Sequence, residues 1–238
     1  GALIMSKPKE QLRISGKSLG KLALPEFCPR CFWLEMHAKL PYQFFPGIFS
    51  SIDAYTKNVI HSWVDKHGNL PPWLASLGDI HEYRDPPHFS KFQALIEDYN
   101  ILLTGMADGI YVRPDGSYVI VDYKTAKFTA AQDELLPIYE VQLNAYAVIG
   151  ERTAFYPVSE LALIYMEPVT QGDALWKHSH DNGFDLDFQA NILMVDLNTS
   201  LLDPLFKVAR DIYDLKKAPQ GNEKCENCKQ LSSLLKLL

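Results

Sequence analysis

Hydrophobic and polar positions follow two periods along the chain, and the switches between them outline an α/β fold. A period near 3.6 runs through Ile52, Tyr55, Val59, Ile60 and Trp63, which predicts an amphipathic helix capped by Ser50 or Ser51 and stopped by Gly68. Helices are also predicted around Leu19, Leu22 and Ala23 with Ser15 or Ser18 as cap, and from Pro29 onward. Two more cover residues 132–149, interrupted near the start by Pro137, and residues 201–215, with Pro204 in the first turn. Alternation rich in β-branched residues predicts strands over 92–96, 101–112, 117–123, 160–169 and 186–195. Pro114-Asp115-Gly116 turns the second of these into the third as a hairpin. Residues 41–50, 69–90 and 171–185 read as loops, with a short helix at 72–77.

Composition narrows the class. The 238 residues are 47% hydrophobic and 22% charged, an ordinary globular balance long enough for one sizeable core. One domain over 1–238 is expected, its core at about 92–195, with the helices of 15–68 and the segment 201–238 beside it. No apolar run reaches the roughly 18 residues of a membrane span, and no charged-then-apolar leader opens the sequence. A cytoplasmic protein without a membrane partner is therefore expected. The net charge of -6 argues against non-specific coating of duplex DNA, but it is unevenly spread. Residues 1–40 hold seven Lys/Arg against three Glu, and 205–238 hold seven against four acids, so the acidic excess lies between two basic ends. Gly16-Lys17-Ser18 is not a P-loop, because Gln11 stands where the motif needs glycine and residues 7–10 do not read as a strand.

Candidate chemistry concentrates on the hairpin. Asp122 directly follows the apolar run Tyr118-Val119-Ile120-Val121, so a carboxylate is held at the rim of a buried strand. Period-2 counting puts Asp122 and Lys124 on one face and Tyr123 on the other, and Asp108 on the paired arm reaches the same space. Two carboxylates and a carbonyl, that of Tyr123, make an incomplete oxygen site of the kind Mg²⁺ or Mn²⁺ occupies beside a phosphate, with Lys124 able to orient a water. A strand-edge ion pair is the plain reading of Asp-x-Lys alone. Gln142 and Tyr146 follow at i, i+4 helical spacing.

Gly105-x-x-Asp108, Asp122-x-Lys124 and Gln142-x-x-x-Tyr146, in that order, resemble the PD-(D/E)xK nuclease superfamily over roughly the middle third of the chain. The likeness is to its RecB-like branch, including the CRISPR-associated RecB-like exonucleases. The resemblance implies a restriction-endonuclease-like core, with a mixed sheet of four to five strands flanked by helices and a cysteine-metal side lobe. It implies a Mg²⁺- or Mn²⁺-dependent deoxyribonuclease acting on single-stranded DNA, and a helicase or CRISPR-type protein as partner. Asp108 and Asp122 would hold the metal, Lys124 would act on the attacking water, and Gln142 and Tyr146 would contact the strand. The family's early helix supplies a metal-binding histidine; His61 is the candidate here, and Asp53 could fill that role with oxygen instead. A nucleic-acid-binding module that does not cut, and a zinc-clasped structural protein, are the competing classes.

Cys28-x-x-Cys31 and Cys225-x-x-Cys228 are the only cysteines, each pair spaced to grip one metal centre. Such a centre would close a loop of about 200 residues and offset roughly 4 to 5 kcal/mol of closure entropy. Four thiolates suit zinc or an iron-sulfur cluster alike. The resemblance implies a [4Fe-4S] cluster, although that cluster is usually built from one early and three late cysteines, and the two-plus-two arrangement here is more usual for Zn²⁺.

Overall fold

The computed structural model describes residues 10–38, 45–129 and 133–238; the expected start of a helix at 132 and residues 41–44 of the expected 41–50 loop lie outside them, and 47–50 are helical. The first element is a strand, β1 (Leu12–Ser15), where the sequence reading placed none. Its Ser15 side chain accepts from Ser18 N and so caps α1 (Gly16–Gly20). Helix α2 (Pro29–His37) opens on Pro29 with Cys28 as its N-cap residue. Helix α3 (Gly47–His67) starts earlier than Ser50, with Pro46 as N-cap, and ends as expected at Gly68, whose φ of 70° lies in the left-handed region.

A short strand β2 (Glu82–Arg84), also unexpected, precedes β3 (Gln93–Ile96) and β4 (Ile101–Thr104). Then come β5 (Gly109–Val112), β6 (Tyr118–Lys124), α4 (Leu136–Arg152) and β7 (Val158–Pro168). Pro137 falls in the first turn of α4, where its missing N–H has no helical partner to lose, so it starts the helix instead of interrupting it. The expected 171–185 loop contains the two-residue strands β8 (Ser179–His180) and β9 (Gly183–Phe184), and β10 (Phe188–Val195), α5 (Leu202–Tyr213) and α6 (Glu226–Leu235) follow.

The expected single strand over 101–112 is two strands in two sheets. β4 pairs parallel with β1 and antiparallel with β3, whereas β5 belongs to the five-stranded mixed sheet in the order β10-β7-β6-β5-β2. The chain crosses between the sheets at residues 105–108. Close packing requires glycine at the first of these, because a Cβ on Gly105 would lie 2.4 Å from Tyr146 Cε1. That break frees Asp108 from β4 and delivers it to the start of β5.

The large sheet separates two hydrophobic layers. Tyr111, Val119, Val121, Tyr123, Ala162 and Ile164 pack with Ile60 and Val64 of α3 and with Leu70, Leu74 and Leu77. Ile110, Ile120, Leu161 and Leu163 face the other way, onto Val141, Leu143 and Ala145 of α4, with the small sheet and α5 beyond. The fold is therefore an α/β sandwich with a mixed five-stranded sheet, as the sequence implied. Buried polar groups pin its second layer. Asn144 of α4 donates to Asp196 O and accepts from Asn198 N, and Arg210 of α5 donates to the carbonyls of Glu10, Tyr99 and Asn100 at 2.9–3.0 Å.

Helix α1 lies against α4 closely enough to exclude side chains at the contact: a Cβ on Gly20 would stand 2.6 Å from the backbone oxygen of Ile138. Gly20→Ala is expected to force the two helices apart at a cost of about 1–3 kcal/mol. That lowers Tm by roughly 2 to 10 °C for a chain of this size. Gly47→Ala, at the open start of α3 with nothing within 4 Å of its Cβ, should change stability by less than about 0.5 kcal/mol. Equal melting of the two variants would mean that α1 is not seated on α4.

Candidate active site and cysteine centre

The α4-facing side of β6 ends in Asp122 and Lys124, and the tail of the 105–108 crossing brings Asp108 beside them. Asp122 is 3% exposed, with Oδ2 2.5 Å from Lys124 Nζ, an ion pair in which that oxygen has no well-aligned hydrogen-bond donor. Asp108 Oδ2 accepts from Tyr123 N at 2.9 Å, which continues the β5–β6 ladder by one side chain. Burial first, and then the neighbouring charge of Asp122, push the Asp108 carboxyl well above its usual range. Burial alone would lower Lys124, but Asp122 outweighs it and holds the ammonium above its ordinary value. Lys124 is thus a cation at neutral pH, its Nζ also 3.5 Å from Gln142 Oε1 and 4.2 Å from the centroid of the Tyr139 ring.

Gln142 Nε2 donates to Tyr146 Oη at 2.7 Å, so the i, i+4 pair on α4 forms one buried chain leading to Lys124. The Tyr146 ring itself is buried, packed on Gly105 and edge-on to Phe92 at 5.9 Å, which leaves a base no face to stack on. Tyr146 still contributes to the lining of the cleft, and its burial follows from the close crossing at Gly105. Across the cleft Asp53 of α3 accepts from Thr125 Oγ1 at 3.2 Å, and burial, followed by the charge of Asp122, raises its pKa despite that bond.

His61 does not join the site. It is buried with its ring stacked on Tyr83 at 3.8 Å and its Nδ1 3.7 Å from Asp85 Oδ1, and burial lowers its pKa. Two helical turns past Asp53, its side chain faces the β2 edge of the sheet instead of the β5–β6 rim.

These groups line one cleft of about 640 Å³, which Asp53, Asp108, Asp122, Tyr123, Lys124, Gln142 and Tyr146 share with Arg13, Ser15 and Lys17. The last three were missed by sequence reasoning. The alternation Leu12-Arg13-Ile14-Ser15 was the available signal, buried at Leu12 and Ile14 and exposed at Arg13. Partial burial, with Lys124 and Lys21 nearby, lowers the Lys17 pKa. Neither Arg13 nor Lys17 has a side-chain hydrogen bond or ion pair among the described residues. Phe45, Phe49, Phe89 and Met106 also line this cleft, and all four are exposed.

Two segments far apart in sequence, at 28–31 and 225–228, meet in a second cluster. Cys28, Cys31, Cys225 and Cys228 are all free thiols with their sulfurs within 4.8 Å of one another. Among the described residues they are the one group of three or more His, Cys, Asp or Glu whose ligand atoms gather this tightly. Burial raises the Cys228 thiol to about 11; Cys28 is brought down to about 7, because backbone N–H groups of Cys31 and Asn222 outweigh its burial.

A model of the PD-(D/E)XK nuclease superfamily matches residues 69–232. The chain belongs to this superfamily. The match spans Asp108, Asp122, Lys124, Gln142 and Tyr146, whereas Arg13, Lys17, Asp53 and the first cysteine pair lie before it. No curated protein matches the sequence. Among solved structures, the one titled "Crystal structure of SSO0001" is 14% identical over 94% of this chain and 86% of that chain, with a TM-score of 0.37. No helix among the described residues is long and apolar enough to cross a membrane.

A carboxylate whose folded pKa is raised stabilises the fold below its ordinary value, and that contribution is lost as pH rises through the raised value. At neutral pH in EDTA, Asp108→Asn is therefore expected to raise Tm, because it removes the repulsion with Asp122 and keeps an acceptor for Tyr123 N–H. The gain should vanish toward pH 4. Added Mn²⁺ should stabilise the wild type far more than the variant. A variant melting below wild type in EDTA would show that the carboxylates do not oppose each other.

Proposed function

We propose that this chain is a Mg²⁺- or Mn²⁺-dependent deoxyribonuclease that hydrolyses phosphodiester bonds in single-stranded DNA. The observation that carries the reading is the Asp108–Asp122 pair, a half-buried and a buried carboxyl group side by side at the floor of an open cleft with a cationic lysine beside them. Such a pair is costly while empty, and a divalent cation is the ligand that relieves it. Asp108 and Asp122 would hold it, with the Tyr123 main-chain carbonyl as a third oxygen and Asp53 opposite. When bound, the cation supplies charge against the scissile phosphate and lowers the pKa of water.

The chain's own residues supply the rest. Lys124, kept protonated by Asp122, orients the attacking water and stabilises charge developing on the phosphate. Gln142, held by Tyr146, steadies Lys124 from above. Arg13 and Lys17, without a side-chain ion pair among the described residues, offer the phosphate backbone two cations, which answers the overall charge of -6 where it matters. The single-strand preference is supported by the exposed Phe45, Phe49 and Phe89 at the cleft. Unpaired bases present faces to such rings, and a duplex keeps its faces stacked inside.

Labelled single- and double-stranded DNA, incubated with Mg²⁺, Mn²⁺ or EDTA, tests the reading directly. Cleavage should require the metal and favour the single strand. Lys124→Ala and Asp122→Ala should each lower the rate by about 10²- to 10³-fold or more, with circular dichroism unchanged. A wild-type chain that binds single strands with metal present yet leaves them intact would make it a binding module. Lys17→Ala should instead weaken binding, and reduce the slope of log affinity against log salt by about 0.7 if it contacts one phosphate. An unchanged slope would remove Lys17 from the substrate path.

A further inference from the structure

The cysteine sulfurs stand closer together than an iron-sulfur cubane allows. Cys28 and Cys228 are 3.5 Å apart at Sγ, Cys31 and Cys225 3.5 Å, and Cys31 and Cys228 3.6 Å. Four thiolates bound to one zinc at about 2.3 Å in a tetrahedron lie about 3.8 Å from each other. In a [4Fe-4S] cluster each thiolate binds a different corner iron, which spreads the sulfurs to roughly 6 Å and fills the space between them with iron and sulfide. With all four sulfurs within 4.8 Å of one another, the separations lie near the first arrangement and short of the second.

The surrounding backbone resists expansion. Gly221 backs directly onto the sulfurs: a Cβ there would meet Cys228 Sγ at 2.8 Å and Cys28 Sγ at 3.3 Å. Asn222 N donates to Cys28 Sγ at 3.3 Å and fixes that ligand from the same side. The ligands also come as two Cys-x-x-Cys grips, at the starts of α2 and α6, so each helix N-terminus presents two sulfurs to a single point.

We propose that Cys28, Cys31, Cys225 and Cys228 form a closed tetrathiolate site for one zinc ion, and that the [4Fe-4S] cluster implied by the family resemblance does not fit this chain. The site has no open coordination position and no redox chemistry, so it acts as a structural tie between the two ends of the protein. This rests on the cysteines alone and is independent of the nuclease reading.

The full chain, produced in cells supplied with both iron and zinc and purified anaerobically, is expected to be colourless, with one zinc per chain and no acid-labile sulfide. X-ray absorption at the zinc edge should give four sulfur neighbours at about 2.3 Å. After chelation, anaerobic treatment with ferrous iron and sulfide should not generate a stable cluster, whereas Zn²⁺ should restore the original Tm. About four irons and four sulfides per chain, in a brown protein, would overturn the proposal. So would a chain that carries no stoichiometric metal and melts unchanged after chelation. These readouts need no variant, so a misfolded cysteine mutant cannot obscure them.

Discussion

Two carboxyl groups held side by side at the floor of a cleft govern this structure. Asp108 and Asp122 are brought together by the β5–β6 ladder, and Asp108 is fastened there by the Tyr123 N–H. One carboxylate is compensated by Lys124; the other is left with its pKa driven upward. Everything nearby serves to keep that arrangement from relaxing. The glycine crossing at 105 lets Tyr146 close down behind Asp108, the Gln142–Tyr146 chain limits where Lys124 can go, and the apolar layers on both faces of the sheet stop water from dissolving the pair. On the proposed function, such a site opposes folding in the resting protein and would become favourable when a cation and a phosphate arrive, which is how a fold stores binding energy for use at one place.

Local chemistry was legible in the sequence because it depends on short-range periodicity. Asp122 and Lys124 share a face with Tyr123 opposite, because a strand allows nothing else, and Gln142 lies one turn from Tyr146 on α4 for the equivalent reason. Pro29 and Gly68 mark helix ends through their own backbone restrictions. The missed features depend on partners distant in sequence. β1 is four residues long and becomes a strand by pairing with β4 far along the chain, and β2 exists through β5. The 101–112 segment reads as one strand because nothing local reveals that its two halves join different sheets. Asp53 and His61 could not be separated by pattern either; the packing of α3 against the sheet turns the first toward the cleft and the second toward Tyr83. The basic wall of Arg13 and Lys17 went unseen for the same reason, since Lys17 faces the cleft only because α1 is seated on α4.

The segment from β1 to α2 links the cleft to the cysteine centre. It begins at Arg13, passes through the α1–α4 contact and reaches Cys28 and Cys31, with the Lys21–Glu35 ion pair at 2.9 Å bracing the turn between α1 and α2. The cleft's basic wall is thus built on a short piece of chain packed at one end against α4 and at the other into the cysteine cluster. Its geometry depends on residues near 225 as much as on its own sequence.

Because Cys28 and Cys228 meet across 200 residues of chain, the metal proposed between them would close residues 28–228 into a mechanical ring. Tension applied between residues before Cys28 and after Cys228 would then pass through that metal tie and bypass the central sheet. A machine that unravels proteins by pulling on the tail after Cys228 would have to break that tie before loading a single hydrogen bond of β6 or β7. With the proposed metal in place, resistance to forced unfolding would therefore be set by cysteine chemistry, and the strands that carry the carboxylates would be shielded from the load.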